Sequence, residues 1–433
     1  MTIYFMHAIR TPFLNFVQNP FEQNTDSINF HSDGLIVIHN GTIVDCGAWS
    51  SLSPIYPDIP LTTYSSDCIA MPGFIDLHCH YPQATMIGSW GNTLLEWLND
   101  FTFPAETKFN DSVFSQKIAH MWVDICIQNG ITTPVSFCTV HPQSVDAFFQ
   151  ATDNAGMRAI GGKVLMDRNA PAELLDTAQT SYDDSAALVD KWHNKNRLHY
   201  AVTPRFAGTS TPEQLELAST LWHSKDDLYL QSHISENKDE ILWTKGLFPH
   251  CDDYFAVYEH YNLVGPRAIY AHGIHLTHDE LNRFHQTGAV LAHCPTSNLF
   301  LGSGLLDMNK IIKHDIKFGI GTDIGAGTHY SPFQTLNAMY QTAQLNGLAI
   351  TPAQAIWSMT TGAAESLDLG HSIGKIQKGY DADFIILEPK NNPALELRTA
   401  HCDSLEEKLG VYCTLGDDRL VSACYIAGIN KKP

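Results

Sequence analysis

Residues 72–80 read P-G-F-I-D-L-H-C-H, and the reading of this run decides how the rest of the chain is understood. The apolar stretch Ile69 to His80 predicts a strand, and side chains two apart on a strand share a face. His78 and His80 then point to one side and can reach one ion, while Cys79 points to the other. In a chain with 22 histidines, an isolated His-x-His reads more simply as two structural residues. This pair has company: His233 in S-H-I-S-E, His272 in Y-A-H-G and Asp323 in G-I-G-T-D-I-G. These add the imidazole and carboxylate groups that Zn²⁺ or Fe²⁺ accepts.

Further strand candidates follow at Thr132 to Val140, Met157 to Met166, Leu198 to Pro204, Leu228 to His233, Ala268 to His272, Ala289 to His293 and Lys317 to Asp323. With Ile69 to His80 they make eight, separated by helical stretches. That alternation predicts an α/β fold, a closed (β/α)₈ barrel of the TIM type, whose chemistry sits at the C-terminal strand ends. His78 and His80 end the first candidate, Arg205 follows the fourth, His233 ends the fifth, His272 the sixth and Asp323 the eighth.

The chain ends read differently. Gly34 to Gly47 places Asn40-Gly41 between two β-branched runs, a two-residue hairpin signal, and Ile373 to Leu387 returns to strand after the turn residues Gly374 and Gly379. The expected division is therefore 1–70, then a barrel over 71–371, then 372–433.

The formal net charge of -20 argues against nucleic acid and anionic membrane surfaces and in favour of a small uncharged or cationic ligand. Ten cysteines without a C-x-x-C pair suit a reducing compartment. The opening Met1 to Phe13 has no charged segment leading into an apolar one, and no run approaches bilayer length, so a cytoplasmic location is expected. H-E-x-x-H, G-x-S-x-G, the phosphate-loop motif and the H-x-E with P-C-x-x-C layout are all absent. A second metal would call for a bridging carbamylated lysine, for which Lys163 is the one candidate and reads better as structural, so one metal is expected. His293, His275 and His278 are left outside the site.

Taken together, P-G-F-I-D-L-H-C-H, S-H-I-S-E, Y-A-H-G, A-H-C-P-T-S-N and G-T-D resemble the amidohydrolase superfamily. Within it, H-Y-P-Q (80–83), L-L-E-W-L (94–98), F-T-F-P-A-E (101–106), T-P-R-F (203–206) and S-H-I-S-E-N look like the guanine deaminases. The resemblance implies one zinc ion at His78, His80, His233 and Asp323, with Glu236 as proton shuttle and His272 orienting water. It also implies purine contacts from Gln83, Arg205 and Phe206, with His80, Glu236 and Asp323 facing the same ligand. A small β-sandwich built from both chain ends and a homodimer are implied too. One departure is Ala326 in G-T-D-I-G-A-G-T, where the family pattern leads one to expect glycine.

Elementary chemistry runs the same way. Arg205 offers only hydrogen-bond donors and so suits a ring carbonyl, favouring guanine over adenine, while Gln83 offers a donor and an acceptor and Phe206 a stacking face. Structural readings stand beside these: an ion pair for Arg205, a core position for Phe206 and Trp97, and a helix N-terminal carboxylate for Glu236. Competing functions are a hydrolase of another aminated heterocycle, such as a pterin or triazine, and a non-catalytic binding relative.

Overall fold

The computed structural model describes residues 6–22, 27–91 and 94–433, so the first five residues of the stretch Met1 to Phe13 lie outside it. Five strands, β1 (His7–Phe16), β2 (Ile28–His39), β3 (Thr42–Ala48), β4 (Leu61–Thr63) and β5 (Ile69–Pro72), open the chain. Then come β6 (Phe74–His80), β7 (Ile131–Phe137), β8 (Ala159–Gly162), β9 (Val164–Leu165), β10 (Leu198–Pro204), β11 (Tyr229–Ile234), β12 (Ala268–His272), β13 (Val290–His293) and β14 (Lys317–Ile320). β15 (Phe384–Leu387), β16 (Val421–Ile426) and β17 (Ile429–Asn430) close it.

Strands from the two chain ends share one sheet in the order β17-β16-β15-β5-β1-β2-β3, with β4 also on β1. Asn40 and Gly41 both hold positive φ, 51° and 80°, the geometry that a twist-matched two-residue hairpin demands between β2 and β3. Ile9, Ile36, Ile38, Ile43, Ala70, Phe384, Ile386 and Tyr425 gather on the inner side of this sheet. Each large apolar side chain so buried contributes about 1.5–3 kcal/mol.

β6 to β14 form the second sheet, a nearly closed barrel of eight parallel strands alternating with helices. The expected first strand, Ile69 to His80, is two strands. Ile69–Pro72 pairs antiparallel with Leu387–Phe384 in the terminal sheet, and only Phe74–His80 enters the barrel. The break falls at Gly73, where the chain runs so close to β7 that a Cβ would stand 2.3 Å from the Thr132 side chain. The stretch Met157 to Met166 also divides, at Lys163, whose N–H donates to the Tyr200 hydroxyl rather than to a ladder. The eighth strand stops at Ile320, so Asp323 stands on the loop beyond it.

A register shift between Asp76 and Cys79 explains how β6 presents its histidines. Ile75 and Leu77 belong to the barrel's inner cluster and Cys79 to the outer one. The shift reverses the alternation, so His78 and His80 follow Leu77 onto the inside. The eighth strand reaches the first through its loop: the Asp323 N–H donates to the His78 carbonyl (2.8 Å) and the His80 N–H to that of Ile324 (2.7 Å). Gly321 allows this approach, since a Cβ there would meet His78 Cβ at 2.7 Å. Among the described residues no helix is long and apolar enough to cross a membrane.

Candidate metal centre and ligand pocket

Three strand ends bring the histidines together, and the loop after β14 adds Asp323. His80 Nε2 stands 3.1 Å from His233 Nε2, and Asp323 Oδ1 lies 3.2 Å from His78 Nε2 and 3.5 Å from His80 Nε2. His233 Nδ1 is 2.7 Å from the Arg205 carbonyl, which fixes the proton on Nδ1 and turns the Nε2 lone pair into the cluster. Burial and then the neighbouring imidazoles push His80 and His233 well below the usual histidine range, and burial lowers His78 against the pull of Asp323. Asp323 is held below the usual carboxylate range: burial works to raise it, but His78 and His272 outweigh that. His78 Nε2 is buried without a hydrogen-bond partner. Neutral imidazoles with converging lone pairs beside an ionised carboxylate make a donor set suited to a divalent cation.

His272, at the end of β12, is as near as a ligand: its donor atom and those of His78 and His233 all lie within 4.8 Å of one another. Its Nδ1 faces Asn298 Oδ1 at 2.9 Å, leaving Nε2 toward Glu236 Oε2 (3.5 Å) and Asp323 Oδ2 (3.8 Å). Burial lowers His272 less than Glu236 and Asp323 raise it, so the imidazole titrates above its usual value. The buried Cys294 completes a second grouping with His78 and Asp323, and burial holds it as a thiol.

Glu236 is not a helix-capping carboxylate. The helix Lys238–Leu247 is capped by Asn237 and by Glu240, whose Oε2 accepts the Glu236 and Asn237 N–H groups. Glu236 Oε1 instead accepts from the Ser303 hydroxyl (3.1 Å), and burial pushes its carboxyl up to about 7.

A pocket opens beside the cluster, lined by His80, Gln83, Arg205, Phe206, Glu236, His272 and Asp323, with Leu94, Trp97, Leu301 and Ala326 as apolar walls. Trp97 is both a core and a pocket residue, whereas Trp90 is 77% exposed. Ala326 holds no positive φ and packs its methyl into the cluster containing Met86, Leu94 and Trp97.

The sequence reading missed Glu106. Fully buried, it accepts from Arg205 Nη1 (2.8 and 3.1 Å) and from Gln83 Nε2 (2.9 Å), tying two pocket residues from different strand ends to one carboxylate. Its one sequence signal was membership of F-T-F-P-A-E. The ion-pair reading of Arg205 is thus realised within the pocket wall.

Other residues lie elsewhere. Lys163 is fully buried and pairs with Asp176, away from the cluster. His293 ends β13 with neither ring nitrogen hydrogen-bonded, pushed down to about 3 by burial. His275 is half-buried, with Nε2 2.9 Å from the Ser303 carbonyl, and His278 is exposed against His314.

A sequence model of the amidohydrolase family matches residues 69–421. A guanine deaminase from Escherichia coli K12 is 43% identical over 427 residues, covering 98% of this chain and 97% of that protein. The solved structure of E. coli guanine deaminase superposes with a TM-score of 0.95 at 41% identity, covering 99% of both chains. That of guanine deaminase from C. acetobutylicum, with guanine bound in its active site, has a TM-score of 0.90 at 29% identity over 98% of this chain and all of that one. With its barrel, its histidine cluster and these full-length likenesses, the chain belongs to the amidohydrolase family and resembles the guanine deaminases within it.

Proposed function

We propose that this chain hydrolyses guanine to xanthine and ammonia with one zinc ion held by His78, His80, His233 and Asp323. The observation that carries the reading is the Gln83–Glu106–Arg205 network, whose Gln83 and Arg205 line a pocket beside the histidine cluster, in a chain 43% identical to a guanine deaminase.

The donors left over suit the substrate. Gln83 Nε2 spends one N–H on Glu106, and its Oε1 accepts from the Gly325 N–H at 3.2 Å, which leaves one donor and one acceptor for a purine edge. Arg205 spends Nη1 on Glu106 and retains further N–H groups for the ring carbonyl. Phe206 supplies a face for stacking.

A bound divalent ion supplies an acidified water at neutral pH. Around it, Asp323 accepts a proton from the attacking water, and His272, fixed by Asn298, orients that water. Glu236, with its carboxyl near neutrality, carries a proton to the ring and then to the departing amine. The new bond is C2–O, the broken one C2–N, and ammonia leaves.

Zinc as the ion and a homodimer as the assembly rest on the resemblance. A cytoplasmic site rests on ten unpaired thiols. The division 1–70, 71–371 and 372–433 is proposed with Met71 and Pro72 counted in the terminal sheet, where β5 pairs with β15.

The test is ammonia release and the ultraviolet spectrum with guanine, adenine, cytosine and a triazine. Turnover of guanine to xanthine, with the others inert, supports the reading. Turnover of another heterocycle alone overturns it.

A further inference from the structure

A second gathering of ligand-type side chains lies outside the barrel, where the chain leaves the helix Lys238–Leu247 and enters the helix Tyr254–His260. His250 and Cys251 stand on the connecting loop and His260 at the far end of the second helix. Their Nδ1 or Nε2 and Sγ atoms all lie within 4.8 Å of one another, and the rings of His250 and His260 are 4.8 Å apart, inclined at 64°. The loop is held by its own turn, the Cys251 N–H donating to the Phe248 carbonyl at 3.0 Å. Among the described residues none of the three side chains has a hydrogen-bond partner, although each is polar and they converge.

The surroundings favour a cation. Asp252 is exposed beside the cluster, and Asp253 caps the second helix through the Ala256 N–H while pairing with Arg283. Burial and then Asp253 and Asp252 keep the Cys251 thiol above its usual range, so ligation would displace its proton to solvent as the sulfur–metal bond forms. Two imidazoles and one thiolate form a borderline-soft set that selects zinc, cobalt or a similar divalent transition ion over magnesium or calcium. We propose that His250, Cys251 and His260 form a second, three-ligand transition-metal site, independent of the barrel cluster, which staples the 248–253 loop to the end of the following helix.

The experiment is a Co²⁺ titration of the full chain, followed by the thiolate-to-cobalt absorption in the near ultraviolet and by metal content after gel filtration. Wild type is expected to hold one more equivalent than Cys251→Ser or His260→Ala, and both variants are expected to lose the thiolate band. His78→Ala, which disables the barrel cluster, is expected to keep it. Equal stoichiometry and an equal band in wild type and Cys251→Ser would overturn the proposal. So would a band lost in His78→Ala and kept in Cys251→Ser, which would assign the thiolate to Cys294. Both key positions lie near the surface, and His250→Gln gives a third variant if either fails to fold.

Discussion

Arg205 Nη1 and Glu106 Oε2 stand 2.8 Å apart with both side chains sealed from solvent, and Arg205 lines the ligand pocket while Glu106 holds it there. Removing one partner of a buried pair strands the other charge, at a cost of about 3–5 kcal/mol. Glu106→Gln is therefore expected to release both Arg205 and Gln83 from their set positions. The expected loss in kcat/KM with guanine is roughly 100-fold, carried mainly by KM, with metal content unchanged. Steady-state kinetics and metal analysis check this; a loss below about threefold would sink the positioning role. Arg205→Ala should cost far more with guanine than with a substrate lacking the carbonyl.

The contrast between Glu106 and His78 shows what a single sequence discloses. His78 and His80 were legible because strand alternation is local and two residues suffice to set a shared face. Glu106 acts on Arg205, 99 residues away, and on Gln83, 23 away, so its role arises only when strand ends converge. The division of Ile69 to His80 was hidden for a similar reason. Its apolar run is continuous, and what pulls Ile69–Pro72 out of the barrel is pairing with Phe384–Leu387, more than 300 residues on. The bulge between Asp76 and Cys79 leaves no composition signal either, although it is what places Leu77 and His78 on the same side.

Glu236→Gln keeps the size of the side chain and its contact to Ser303 while removing the carboxyl proposed to move protons. A loss of general acid–base catalysis is worth about 10²–10⁴ in kcat. The expected result is a kcat lowered within that range, with KM and metal content close to wild type. A variant retaining a tenth or more of wild-type kcat would assign the proton transfer elsewhere.

Metal removal tests the barrel cluster directly. A ligand bound only by the folded state stabilises it by about 4 kcal/mol at a thousandfold excess over Kd. Dialysis against a chelator is therefore expected to abolish turnover and lower the melting temperature, with zinc restoring both. His78→Ala should lose the restoration, because its Nε2 faces Asp323 with no other partner. Full activity in chelated protein would refute the metal reading.

His199, on β10 and far from this chemistry, sets an acid limit on stability. Its ring Nε2 lies 3.0 Å from Arg158 Nη1, and burial, then the charge of Arg158, pushes it down to about 4 from 6.5. The unfolded chain thus takes up this proton at higher pH than the folded one. The histidine's contribution is complete above pH 6.5 and is lost as pH falls through about 4. A depression of that size amounts to about 3 kcal/mol. His199→Gln cannot take up the proton, so its melting temperature should fall less than that of wild type between pH 7.5 and 4.5, as read by calorimetry on zinc-loaded protein. Carboxylate protonation and metal loss act on both proteins alike and cancel in the difference. Parallel losses in the two would show that His199 titrates at the same pH in the folded and unfolded chain, and that the burial beside Arg158 has no bearing on acid stability.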